Sequence, residues 1–163
     1  MIDIKDDTTA IATFLNPSLV EVQDYALSFL EELAVKYNID AIVLDYCRYS
    51  GIEADFSQLS RESFEKYIGE KVNNFPEDIF IWEEDDERNY YVLDKELAPL
   101  WYEFRSMVIH GFVRRVKELI KSIKPKVRIG YCNASWHHAL YRQGQNWTRT
   151  IKTQVLPSIW TDI

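Results

Sequence analysis

The chain has 163 residues, 47% of them hydrophobic and 14% aromatic. That is enough apolar material for a real core in one domain or part of one, and only five Gly and five Pro leave little for flexible linkers. A formal net charge of -7 argues against nucleic acid and against an anionic membrane surface, both of which require a basic face, and favours an uncharged or cationic small-molecule partner. No apolar stretch approaches the roughly 20 residues of a membrane span, and the start, MIDIKDDTTA, has neither the basic region nor the apolar core of a signal peptide.

In chain order, residues Ala10 to Leu15 read as a short strand that stops at Asn16-Pro17. Ser18 with Glu21 forms a capping box, opening a helix with Val22, Ala26, Phe29, Leu30, Leu33 and Tyr37 on its apolar side and ending near Lys36. The run Ile39 to Leu44, interrupted only by Asp40, is short, β-branched and without alternation, which predicts a strand buried on both faces as in a parallel sheet. A short helix capped by Ser60 carries Phe64, Tyr67 and Ile68 and closes at Gly69. The stretch Phe75 to Asp94, rich in aromatics and acids, is left as a long excursion. A long helix starts near Pro99 and runs to about Lys124 on a stripe of Trp101, Phe104, Val108, Phe112, Val116, Leu119, Ile120 and Ile123. Val127 to Cys132 is the next strand, and residues 139–163 carry no assignable element. The order predicts an α/β fold of about three parallel strands with flanking helices, in a single domain whose core spans 9–138. Such a sheet has two open edges, which predicts self-association through them.

Chemistry in parallel α/β folds gathers at the C-terminal ends of the strands. The first readable strand ends in Asp45, Tyr46, Arg48 and Tyr49, the second in Asn133, Ser135, Trp136, His137 and His138. Strand parity puts Val43 with Asp45 and Tyr131 with Asn133. If Asp45 and Asn133 face one centre, with Arg48, Trp136 and His137 near, the group suits sugar: a carboxylate for the anomeric centre, amide and imidazole for hydroxyls, an aromatic ring for the pyranose face. The alternative is a polar rim in which Arg48 pairs with Asp45 for structure, or Asp45 merely caps its turn. The adjacent histidines point apart and Cys132 has no partner at zinc-site spacing, so neither a metal nor any other cofactor is expected. Glu83 to Glu87 lacks the alternating ligands and turn glycine of a calcium loop. Cys47 and Cys132 each follow a strand, which allows them to lie near one another without being bonded, and two cysteines neither make a disulfide framework nor reveal the redox compartment.

FLNPSLVEVQDY at Phe14 to Tyr25, IDAIVLDYCRYSGIEADFSQLSRESFEKYIG at Ile39 to Gly69 and FPEDIF at Phe75 to Phe80 resemble the glycosyl hydrolase-like proteins of the alpha-amylase-like, family-ten-like group. These are bacterial TIM-barrel proteins, many from Bacteroidetes and often exported. The resemblance covers roughly residues 9 to 145. It implies that the three strands are the third to fifth of a (β/α)8 barrel, that Asp45 is the fourth-strand nucleophile of a glycoside hydrolase, and that Arg48 and Tyr49 are the arginine and tyrosine that follow it. Asp40-Ala41 replaces the Asp-Gly usual in that family, and Tyr46-Cys47 stands where an arginine or another polar residue is common.

Glycoside hydrolysis needs two carboxyl groups, yet the second strand end, GYCNASWHH, contains no Asp or Glu. Three readings follow: an acid on a later barrel strand absent from this chain, which is preferred; a loop acid such as Asp55 or Glu83 swinging in; or a non-catalytic or vestigial carbohydrate-binding module. On the first reading the isolated chain is catalytically incomplete.

Overall fold

The computed structural model describes residues 15–52, 54–84, 90–132, 141–145 and 161–162. The elements are α1 (Val20–Lys36), β1 (Ala41–Leu44), α2 (Gln58–Ile68), a hairpin of β2 (Phe80–Glu84) and β3 (Tyr90–Asp94), α3 (Ala98–Ile123), β4 (Arg128–Tyr131), a single 3-10 turn (Tyr141–Gln143) and β5 (Thr161–Asp162). Strands β1 and β4 pair in parallel, with Ala41 opposite Arg128 and Leu44 opposite Tyr131. β5 lies antiparallel on the far side of β4, Gly130 opposite Asp162. The result is a short, partly parallel sheet with helices, an α/β arrangement.

Helices α1 and α3 both pack on one face of the sheet, and this fixes which strand residues are buried. Ile42, Leu44, Ile129 and Tyr131 join Leu30 and Ala34 of α1 and Ile109, Val113, Val116 and Ile120 of α3 in one aliphatic cluster. Ala41 and Val43 point the other way and are exposed, Val43 at 41%. The expectation of a strand buried on both faces is therefore corrected: helices on one side cover only alternate residues. A second cluster, mostly aromatic, joins Phe64 of α2, Phe80 of the hairpin and Trp101, Tyr102 and Phe104 of α3. A long helix thus serves two cores in succession.

Other expectations also change. Among the described residues β1 and β4 are the strands that run parallel, and the edge of β4 is occupied by β5 rather than open. Among the described residues β1 remains an edge strand. Most of the expected strand at residues 10–15 lies outside the described residues. Ser18 does not cap α1: the N-cap is Leu19, which makes no side-chain cap hydrogen bond, and the Ser18 hydroxyl instead meets the Tyr49 hydroxyl at 2.9 Å. Helix α2 is capped by Ser57, whose Oγ accepts the Ser60 N–H at 3.3 Å, and closes as expected at Gly69 with φ 79. The region 80–94 is a hairpin with Trp82 opposite Val92.

Candidate functional site

Asp45 follows β1 directly and is exposed. By strand alternation it shares a face with Ala41 and Val43, the face opposite α1 and α3. Its Oδ1 accepts the Tyr46 N–H at 2.8 Å, and the Arg48 N–H returns to the Tyr46 carbonyl at 2.8 Å. The two bonds hold Tyr46 at φ 52, a left-handed conformation that costs a residue with a bulky side chain on the order of 1 kcal/mol or more.

The register decides which residue on β4 sits beside Asp45. The Cys132 N–H donates to the Leu44 carbonyl at 2.8 Å, so the pairing continues by one residue and brings Cys132 next to Asp45. Burial first, then the hydrogen bond to Asp45 and its charge, raise the Cys132 thiol above its ordinary pKa. Cys47 is pushed up to about 12 by burial. Both cysteines are free thiols, and both shifts disfavour the nucleophilic thiolate form. Asn133, expected to share the centre with Asp45, lies outside the described residues, as do Trp136, His137 and His138. Among the described residues no cluster of His, Cys, Asp and Glu is arranged to hold a metal ion.

Arg48 and Tyr49 bind the loop together. The Arg48 Nη1 donates to the Tyr49 carbonyl at 3.2 Å, the Ser50 carbonyl at 3.4 Å and, closely, to Gln143 Oε1. The Tyr49 N–H donates to the Gln143 carbonyl at 3.0 Å. Its ring is buried, and burial raises the phenol well above its ordinary pKa, against the lowering pull of the Ser18 hydrogen bond and of Arg105. The 3-10 turn is thus a clasp on the loop after Asp45.

Beneath the loop lies Arg105, fully buried on α3. Its guanidinium donates to the carbonyls of Gly51 (3.2 Å), Arg142 (3.0 Å) and Ala54. It stacks over the rings of Tyr49 at 4.6 Å, Trp101 at 5.3 Å and Phe56 at 5.6 Å. Sequence reading missed it, although position 105 falls four residues after Trp101 on the apolar stripe, where a charge must find partners. Gly144, with φ 84, permits the approach of the clasp: a Cβ there would meet the Arg105 carbonyl oxygen at 3.1 Å.

The loop acids are otherwise engaged. Asp55, at φ 61, accepts hydrogen bonds from Asn16 Nδ2 at 2.6 Å, from Ser57 Oγ at 2.8 Å and from Ser60 Oγ, so it ties the start of α2 to the entry of α1. Glu83 is a strand residue opposite Tyr91. Neither sits on a free loop that swings toward Asp45.

Asp45 is thus an exposed carboxylate directly after a parallel strand, followed by a loop that Arg48, Tyr49 and Arg105 hold in place. The family model described as glycosyl hydrolase-like 10 matches residues 2–163, and the chain belongs to that family. An S-layer-related protein of Niallia circulans is 33% identical over 144 residues, which are 84% of this chain and 9% of that protein. The chain therefore spans only a small part of that relative's length. No solved structure matches.

Proposed function

We propose that the chain contributes the third to fifth β/α units of a (β/α)8 barrel domain that acts on a glycan, with Asp45 as the fourth-strand carboxylate at the anomeric centre. The observation that carries this reading is the position of Asp45: directly after β1, on the sheet face opposite the helices, and in register with the end of parallel β4. In a barrel that face is the interior, and its C-terminal rim holds the reacting groups. Arg48 and Tyr49 hold the loop that presents Asp45, while Trp136 and His137 line the sugar; the expected share of Asn133 rested on its parity with Tyr131, and Tyr131 is buried with Leu44 on the helix side rather than on the face of Asp45. The general acid comes from a later barrel strand that lies outside this chain. The exposed Val43 and the edge of β1 are where further barrel strands or a second copy of the chain associate.

A second reading, carbohydrate binding without turnover, is favoured by one observation: the residue beside Asp45 on β4 is Cys132, not a carboxylic acid. Both readings predict no appreciable hydrolysis of aryl glycosides or oligosaccharides by this chain, because general-acid assistance alone is worth on the order of 10² to 10⁴ in rate. Turnover that Asp45→Asn abolishes would reveal a donor inside the chain and remove the binding-only reading. Turnover unaffected by that substitution would remove Asp45 from the mechanism.

A further inference from the structure

Tyr46 combines two features that packing does not explain. Its φ of 52 suits glycine or asparagine and disfavours a bulky aromatic. Yet the residue is 63% exposed, so the core gains little from keeping its ring. A residue that strains the backbone without filling the interior points to a role outside the fold.

The geometry around the ring indicates that role. Arg48 lies over the Tyr46 ring with its guanidinium carbon 5.1 Å from the centroid. The backbone on either side is fixed, by Asp45 Oδ1 on the Tyr46 N–H and by the Arg48 N–H on the Tyr46 carbonyl. The Cα–Cβ bond that carries the ring is thereby fixed relative to the carboxylate, and Arg48 lies against one face of the ring. Tyr25 on α1 and Trp82 on β2 are also exposed, but no such turn ties them to Asp45.

We infer that Tyr46 is a stacking platform for the pyranose ring that presents its anomeric carbon to Asp45. The axial C–H groups of a pyranose form an apolar patch that matches an aromatic face, while its hydroxyls stay at the edge for polar groups and water. Arg48 draws on the π cloud of the ring and keeps it from turning into solvent. This assignment rests on the glycan reading above and adds to it the residue that orients the sugar.

The test is affinity electrophoresis of the chain in native gels containing hydroxyethylcellulose, xylan, pullulan or glycol chitin, with thermal melts in parallel. Retardation of the native chain by at least one polysaccharide is expected. Tyr46→Phe should keep that affinity, because the ring remains, and Tyr46→Ala should weaken it about tenfold. Tyr46→Gly should weaken the affinity to the same degree as Tyr46→Ala while melting no lower than the native chain, because it relieves the left-handed strain. Equal retardation of Tyr46→Ala and the native chain would overturn the platform and leave the glycan reading standing. A clear drop in the melting temperature of Tyr46→Gly would make the ring a structural element and also overturn it. No retardation of the native chain in any of the gels would overturn both readings together.

Discussion

The two halves of α3 live in different environments. Its N-terminal half sends Trp101, Tyr102 and Phe104 into an aromatic cluster with α2 and the hairpin, and its C-terminal half sends Ile109, Val113, Val116 and Ile120 onto the sheet. Arg105 stands at the boundary. In the aliphatic half, alternating strand residues meet a regular helical stripe, and shape alone suffices. In the aromatic half, Trp101 meets the rings of Phe56, Phe64, Phe75 and Phe104 at centroid distances of 5.2, 5.0, 5.6 and 5.5 Å, and orientation matters as well as volume. The difference shows how a site is supported: the regular half supplies the strand that carries Asp45, and the irregular half supplies the cation that holds the loop after it.

The comparison breaks most easily at Trp101. Trp101→Ala should cost about 4 kcal/mol, since it removes a fully buried indole and leaves a cavity among four rings; chemical denaturation gives the value. If the two halves are one cooperative unit, the whole chain melts earlier in a single step, and a separate early transition for the hairpin region would divide them. Arg105→Met comes next, at about 3 kcal/mol, because three loop carbonyls lose a donor while the aliphatic stem is kept. It should also increase hydrogen exchange at the Tyr49 amide, which a change confined to the aromatic core would not do. In the regular half, Ile120→Val should cost only about 1 kcal/mol, with no effect on that amide.

The smallest effect is confined to acid and concerns the aromatic half alone. Glu65 is 6% exposed and takes hydrogen bonds from Lys71 at 2.5 Å, Arg61 at 3.1 Å and the Val72 N–H at 3.2 Å. The Lys71 bond first, against the opposing cost of burial, and then Arg61 and Val72 lower its pKa from 4.5 to about 2. A carboxylate with a depressed folded pKa stabilises above its unfolded value and loses that contribution as pH falls through the folded one. The stability difference between the native chain and Glu65→Gln should therefore be constant above pH 4.5 and narrow between 4.5 and 2. A difference that persists unchanged at pH 2 would assign the effect to packing.

Much of the regular half was legible in the sequence. The end of α1 at Lys36, the short apolar run of β1, the start of α3 beside Pro99 and the strand before Cys132 all follow from periodicity and from proline chemistry, and the family resemblance agrees with the match over residues 2–163. The hairpin was not legible. Its strands, FIWEE and YYVLD, are rich in β-formers, but half-exposed apolar residues on both faces blur the alternation, and the acids from Glu83 to Glu87 make the composition read as a loop. The caps failed for a different reason: Ser18 and Ser60 are good capping residues whose hydroxyls are taken by Tyr49 and Asp55, long-range or loop contacts that local spacing cannot encode. At the candidate site, the position of Asp45 directly after β1 was legible from the end of the apolar run. Its neighbour Cys132 was not, because parity within a strand gives faces but not the register between strands.

The clasp also sets an order of events in folding. Arg48 and Gln143 are 95 residues apart in the chain, whereas α1 and β1 adjoin one another and α3 is continued directly by β4. Contacts of such long range wait until the chain between them is compact, since closing the loop costs entropy that only the finished core offsets. The rim around Asp45 therefore takes shape after the helices and together with the parallel pair, whose partners such as Ala41 and Arg128 are almost as distant in the chain. A chain released from synthesis before residue 143 can build the scaffold of the site without ever fixing its geometry.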